Sequence, residues 1–176
     1  MSYQTAAGGW HDFYILAGTA SATLVGLLFV GLSLHLRVVI ASSEVRSVAR
    51  VTLANFGTVL FVALFMVIPQ DRSTAAIELI ASGLASLAII MPSLVAGLQS
   101  RGRTLQMQRR DRVRLMLRFG LSAASYLAVI VAGVQLFSSL RAFTWLVVAM
   151  VVLLIVSLRN TWDLLVTVGD FTLGRD

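Results

Sequence analysis

The sequence predicts an all-α integral membrane protein: a helical bundle of five transmembrane helices, with four as the fallback count. Three observations carry this. Apolar residues make up 58% of the 176 residues and charged residues 12%, with a mean hydropathy of +0.89, whereas a soluble domain carries about 25% charged residues. Cut at its charges, the chain falls into five apolar runs close to the roughly 20 residues needed to cross about 30 Å of hydrocarbon. The basic residues, finally, gather on one side of the resulting alternation. This composition excludes a water-soluble enzyme, a disordered regulator and, with no cysteine present, a disulfide scaffold.

The first run is Phe13 to Leu36, free of formal charge when His35 is neutral. The second, Val51 to Ile68, follows Arg50 and is closed by Pro69; the third is Leu79 to Leu98, between Glu78 and Arg101. The fourth is Phe119 to Leu140 and the fifth Ala142 to Leu158. Runs two and five have 18 and 17 residues, and Arg50 and Arg159 extend them by laying their stems along the apolar zone. Some 40 apolar residues cannot fit one crossing, so Ser138, Ser139 and Arg141 mark a tight hairpin, and a re-entrant fifth run is what would reduce the count to four. The runs lack the alternation of a membrane β-barrel. The expectation is one transmembrane domain over 1–176, with spans at about 13–36, 51–68, 79–98, 119–140 and 142–158. A basic connection covers 99–118 and a tail 159–176. Met1 to Trp10 has no basic residue, so the first span is expected to remain in the mature protein.

All 14 basic residues are arginine. Arg37, Arg46 and Arg50 follow span one, seven arginines follow span three, and Arg159 and Arg175 lie in the tail, so twelve of the fourteen share one side. Arg72 and Arg141 are on the other. The positive-inside rule then puts the N-terminus outside and the C-terminus in the cytoplasm, with Trp10, Tyr14 and Trp145 near the outer interface and Trp162 near the inner one. The pI near 11.3 therefore reports orientation. The connection itself carries Arg101, Arg103, Arg109, Arg110, Arg112, Arg114 and Arg118, interleaved with Leu, Met and Val. Anchoring of helix ends is its simplest role. Anionic lipid headgroups are a compatible partner, worth about 1 kcal/mol per basic residue, and no nucleic acid is expected because no aromatics are interleaved to stack bases.

Span one holds the most information. Gly18, Ala22 and Gly26 recur every four residues and offer a face for close helix packing. Thr19, Thr23, Gly26, Val30, Ser33 and Arg37 form a mildly polar stripe along the span, read either as packing glue or as the lining of a hydrated pore. Asn55 is the costliest neutral side chain of span two, with Thr52 and Thr58 on its face. A hydrogen-bonded intramembrane cluster of Ser33, His35, Thr52 and Asn55 is expected, because polar groups need partners where water is absent. His35 is a candidate proton-sensitive group, unless it simply faces headgroups. Glu78 lies at most a turn inside span three. Pro92 cannot donate to the carbonyl of Ala88 and marks a hinge. Tyr126 and Gln135 are the embedded polar groups of span four. Asn160, Asp163, Thr167 and Asp170 recur at helical spacing in the tail, as an interfacial helix or a continuation of span five.

No metalloprotease helix motif, phosphate-binding glycine loop or nucleophile elbow occurs. His11 and His35 fall on opposite sides of the membrane. Ser33 and His35 point about 200° apart on one helix and cannot form a dyad. Val168-Gly169-Asp170 is a fragment of an intramembrane aspartyl protease signature, but it lies beyond the last span without a second embedded aspartate. The chain is expected to be neither an enzyme nor a binder of metal or cofactor.

Phe13-Tyr14, Gly18-Thr19-Ala20, Ala22-Thr23-Leu24-Val25-Gly26-Leu27-Leu28-Phe29-Val30 and Ser33-Leu34 together resemble the opening of a family of small uncharacterised bacterial inner-membrane proteins. Ile68-Pro69-Gln70 and Trp162-Asp163-Leu164-Leu165-Val166 are similar to later landmarks of those proteins. The resemblance implies a multi-pass protein of the bacterial inner membrane and carries no activity. Two functions follow from the residues. One is a homo-oligomeric channel or pore, with the hydroxyl stripe of span one around the axis. The other is a non-conducting scaffold or regulatory subunit that engages anionic lipid or a protein through the arginine-rich surface.

Overall fold

A computed structural model describes residues 3–99 and 109–173. Among these residues all regular structure is helical: α1 (Tyr3–Leu34), α2 (Leu36–Ala41), α3 (Ser43–Val67), α4 (Arg72–Gln99), α5 (Arg109–Leu136) and α6 (Ala142–Leu173). Four helices contain stretches long and apolar enough to cross a membrane: Tyr3–Leu34, Val45–Val67, Arg72–Pro92 and Ala142–Val166. The apolar part of α5, Gly120–Leu136, is shorter.

Local chemistry sets the boundaries. Ser42 caps α3 from an extended backbone, its hydroxyl accepting from the Val45 amide at 3.3 Å, which satisfies one of the donors a helix start leaves open. Ile68 ends α3 at ψ 126° because the residue before a proline is pushed out of the helical region. The first helix tightens and stops at His35, whose amide bonds back three residues to Leu32 at 3.2 Å. The α5–α6 hairpin is as tight as the sequence predicts, with the amides of Ser138 and Ser139 on the Gln135 carbonyl at 2.9 and 2.8 Å. That turn takes up Phe137 to Arg141, so α5 ends at Leu136 and the expected run to Leu140 is shortened. As far as Leu173 the tail is a direct continuation of α6, a single helix of 32 residues.

Four helices close a ring: α3 packs on α4, α4 on α5, α5 on α6, and α6 back on α3. The α3–α4 and α5–α6 hairpins reverse direction, and α4 and α5 run antiparallel with Gly83 beside Ile130 and Gly133 beside Ile80, so neighbours in the ring are antiparallel. Fully buried Phe56, Leu79, Tyr126, Leu146, Met150 and Leu153 fill the interior. The first helix lies outside the ring, along α3 with a lesser edge on α6. Only 17% of its most apolar stretch is buried, against 56% for α3. A second, small apolar cluster joins Val45, Val48 and Ala49 to Leu164 of α6, with Leu32 and Val39 packed against it.

Helices α4 and α5 approach each other closely at two glycines. A Cβ at Gly83 would stand 2.5 Å from Ile130 Cγ1 and 3.1 Å from the Tyr126 carbonyl oxygen. One at Gly133 would stand 2.8 Å from Ile80 Cγ1 and 2.9 Å from the Ala76 carbonyl oxygen. Two glycines, one on each helix, thus let the backbones meet, the role small residues play where lipid supplies no hydrophobic drive.

Candidate functional site

The polar side chains that a membrane interior tolerates least converge at the middle of the ring. Asn55 sits halfway along α3 and reaches diagonally across to α5. Its Nδ2 donates to Ser122 Oγ at 3.0 Å, and its Oδ1 accepts from the Tyr126 hydroxyl at 2.5 Å. One turn on, Thr58 Oγ1 stands 2.6 Å from Ser86 Oγ of α4 and 2.7 Å from the Ala54 carbonyl, while Ser86 Oγ is 2.7 Å from the Ser82 carbonyl. Two hydroxyl hydrogens serve these three contacts, so one is always unmade and the pair can switch donor. Two hydrogen-bonded groups one turn apart therefore draw five side chains from three helices; Asn55, Ser122 and Tyr126 are inaccessible to solvent, Thr58 is 2% exposed and Ser86 7%.

This arrangement corrects the expected cluster of Ser33, His35, Thr52 and Asn55. Asn55 takes its partners from α5. Thr52 is buried but bonds back to the Val48 carbonyl at 2.9 Å, and Ser33 is exposed and bonds to the Val30 carbonyl at 2.8 Å. His35 Nδ1 lies 3.2 Å from the Gly31 carbonyl, which requires a proton on that nitrogen. The physical reason is the position of α1: it lies outside the ring, so only the face that meets α3 approaches Asn55's helix. Tyr126 was visible in the sequence as an embedded polar group. Ser86 and Ser122 were not singled out, and the available signal was their spacing, Ser82 to Ser86 and Ser122 to Tyr126 each one helical turn.

The expected packing motif of α1 divides in the same way. Gly18 meets α3, where a Cβ would be 3.0 Å from Ala63 Cβ, and Ser21 next to that contact donates to the Phe56 carbonyl at 2.6 Å. Ala22 and Gly26 face outward, with nothing within 4 Å of a Cβ at Gly26. Thr19, Thr23, Gly26, Val30, Ser33 and Arg37 are all exposed. The Thr23 hydroxyl is bonded to the Thr19 carbonyl at 2.9 Å. The stripe thus lies on the outer surface of the chain with its Thr23 and Ser33 donors already used.

A second polar group closes the end where the α3–α4 and α5–α6 turns lie. Gln70 Nε2 donates to the Phe65 carbonyl at 2.9 Å and to Glu78 Oε2 at 2.7 Å. Arg72 Nε donates to the Leu136 carbonyl, one of the open acceptors at the end of α5. Tyr3 extends α1 onto this end, its ring 5.8 Å from that of Phe143. These contacts tie hairpins together and leave Glu78 partly buried.

Pro92 lies inside α4 and is exposed. Of the arginine-rich surface, Arg101 and Arg103 lie outside the described residues, as do the side chains of Arg109, Arg110, Arg112, Arg114 and Arg118. Comparison of the chain with protein-family models, with curated proteins and with solved structures finds no match.

Proposed function

We propose that the chain is a five-span protein of the bacterial inner membrane, N-terminus outside and C-terminus in the cytoplasm, that assembles with copies of itself through the outward face of α1 into an ion-conducting oligomer. The observation that carries the reading is the exposure of Thr19, Thr23, Gly26 and Ser33 together on a helix held by its own chain along one side only. Small side chains and internally satisfied hydroxyls suit close contact between helices in lipid. Conduction then runs between copies, because the interior of one chain is filled by large side chains such as Phe56, Tyr126 and Met150.

The five-span count draws support from α5. Its 17-residue apolar part is about 25 Å long at 1.5 Å per residue, and its packing along both α4 and α6 supports a crossing beside them. The orientation draws on the arginine distribution.

The absence of native cysteine makes the test direct. Thr23→Cys in membranes is expected to cross-link on mild oxidation, while Leu84→Cys, exposed on α4, is not. The wild-type protein should run as a multimer by mass in lipid nanodiscs. Reconstituted into planar bilayers, it should pass current that Thr23→Leu and Ser33→Leu reduce. A monomer in nanodiscs with no Thr23→Cys cross-link refutes the assembly. A multimer that passes no current refutes conduction and leaves the scaffold reading, in which the arginine-rich surface engages anionic lipid or a protein partner.

A further inference from the structure

Arg46 and Arg50 stand one turn apart at the start of α3, and both are exposed. Among the residues whose side chains are described, Arg37, Arg72, Arg141 and Arg159 each stand alone on a helix or turn, so this is the one paired guanidinium site. Nη2 of Arg46 donates to the Ile40 carbonyl at 3.3 Å, a contact that uses a small part of the donor capacity of the side chain.

The same face of α3 runs on through Leu53, Gly57, Phe61 and Leu64, in steps of three and four that keep to one side of a helix. Helices α1 and α4 border it. On α3 the α1 contact falls at Ala63, beside Gly18, and the α4 contact at Thr58, bonded to Ser86. At about 100° per residue the strip is centred roughly 100–120° from each of these, so it lies between the two helices and faces away from the ring interior. Gly57 makes a recess in it: the residue is half-buried, yet a Cβ there would have nothing within 4 Å. Phe61 beyond the recess is 55% exposed. From Arg50 to Phe61 the helix rises about 16 Å, roughly half of the hydrocarbon core.

A cationic head contact followed by one leaflet's depth of apolar surface matches the shape and charge of a phospholipid. Two guanidiniums one turn apart can hold one phosphate through several N–H···O bonds. Their combined charge exceeds that of a single phosphate, so an ammonium on the same headgroup is repelled. We infer that this strip binds one anionic phospholipid per chain, its phosphate between Arg46 and Arg50 and an acyl chain along Leu53, Gly57 and Phe61. The inference rests on the membrane reading of the helices. It uses neither self-association, conduction nor the arginine-rich connection, so it fails separately from them.

The test is a competition between lipids. Full-length protein in mild detergent is mixed with equal amounts of phosphatidylglycerol and phosphatidylcholine carrying the same acyl chains, and native mass spectrometry reads the ratio of the two single-lipid adducts. Arg46→Gln and Arg50→Gln should each lower the preference for phosphatidylglycerol about fivefold, and the double variant about 25-fold. Arg159→Gln, which removes an exposed arginine of α6, should leave the preference unchanged. Gly57→Phe fills the recess without altering charge and should remove most of the phosphatidylglycerol adduct; Gly57→Leu serves in its place where the larger side chain prevents folding. Excess glycerol 3-phosphate, which has no acyl chain, should not displace the lipid. Every variant is matched to wild type in elution and helical circular dichroism. An unchanged preference in the double variant overturns the site. An equal loss with Arg159→Gln overturns its placement on α3. An undiminished adduct in the Gly57 variants, or displacement by glycerol 3-phosphate, overturns the acyl seat.

Discussion

The bond between Tyr126 and Asn55 joins helices on opposite sides of the ring, and its removal tests whether the polar layer holds the bundle together. Tyr126→Phe deletes one donor and leaves Asn55 Oδ1 buried without that partner. Asn55→Leu deletes two contacts, to Tyr126 and to Ser122. Side-chain hydrogen bonds between membrane helices are worth about 0.6 kcal/mol on average and about 1.7 at most. Tyr126→Phe is therefore expected to cost about 1 kcal/mol and Asn55→Leu about 1–3 kcal/mol, the larger value because two buried groups lose a partner. The double variant should cost less than the sum, with a coupling of about 0.6–1.7 kcal/mol. Both residues are wholly buried and the bond is short, so the upper part of that range is expected. The assay is reversible unfolding in mixed lipid–detergent micelles by added sodium dodecyl sulfate, followed by helical circular dichroism for the four proteins of the cycle. Independent sites add within about 0.3–0.5 kcal/mol. A coupling inside that window would refute the claim that this contact bears on the fold.

The two glycines of the α4–α5 contact should respond differently to relief. Gly83→Ala meets chiefly Cγ1 of Ile130, so its cost of about 1–3 kcal/mol should fall substantially in an Ile130→Ala background, which removes that atom. Gly133→Ala also meets the Ala76 carbonyl at 2.9 Å, and an Ile80→Ala background should relieve it far less; the same unfolding assay compares them. Enlarging Gly18 pushes on Ala63 of α3, so Gly18→Leu should loosen α1 from the ring and expose the α1–α3 seam to limited proteolysis. Ser21→Ala, which loses only the bond to the Phe56 carbonyl, should cost about 0.5–1.5 kcal/mol and leave the proteolysis pattern unchanged. Equal patterns for Gly18→Leu and wild type would mean that this seam does not depend on the glycine.

How far the sequence could be read depended on whether a feature is a property of one segment or of two. Apolar length and arginine placement are properties of single segments, and they announced the helices, the hairpin at Ser138–Arg141 and the break before Pro69. Helix ends moved because polar residues continue a helix past the hydrocarbon: α1 starts at Tyr3, and α6 runs on through Asn160 to Leu173. The run predicted to reach Leu140 stops at Leu136 because Ser138 and Ser139 turn the backbone onto Gln135.

By itself the sequence determined that the chain is helical, apolar enough for a membrane, and in need of internal partners for Asn55. Which partners, it could not say. In lipid every face of these helices is apolar enough to be outside, so hydropathy does not choose the face that turns inward. Only tertiary structure made that choice, by closing α3 to α6 into a ring and leaving α1 outside it. Asn55 therefore found Ser122 and Tyr126, 67 and 71 positions away in the chain. Gly83 and Gly133 share with Gly18 the close-packing role expected of Gly18, Ala22 and Gly26, and the hydroxyls of Thr19, Thr23 and Ser33 were turned outward. The physical reason is that helix pairing in a membrane rests on shape and on a few hydrogen bonds, and both are properties of two surfaces together.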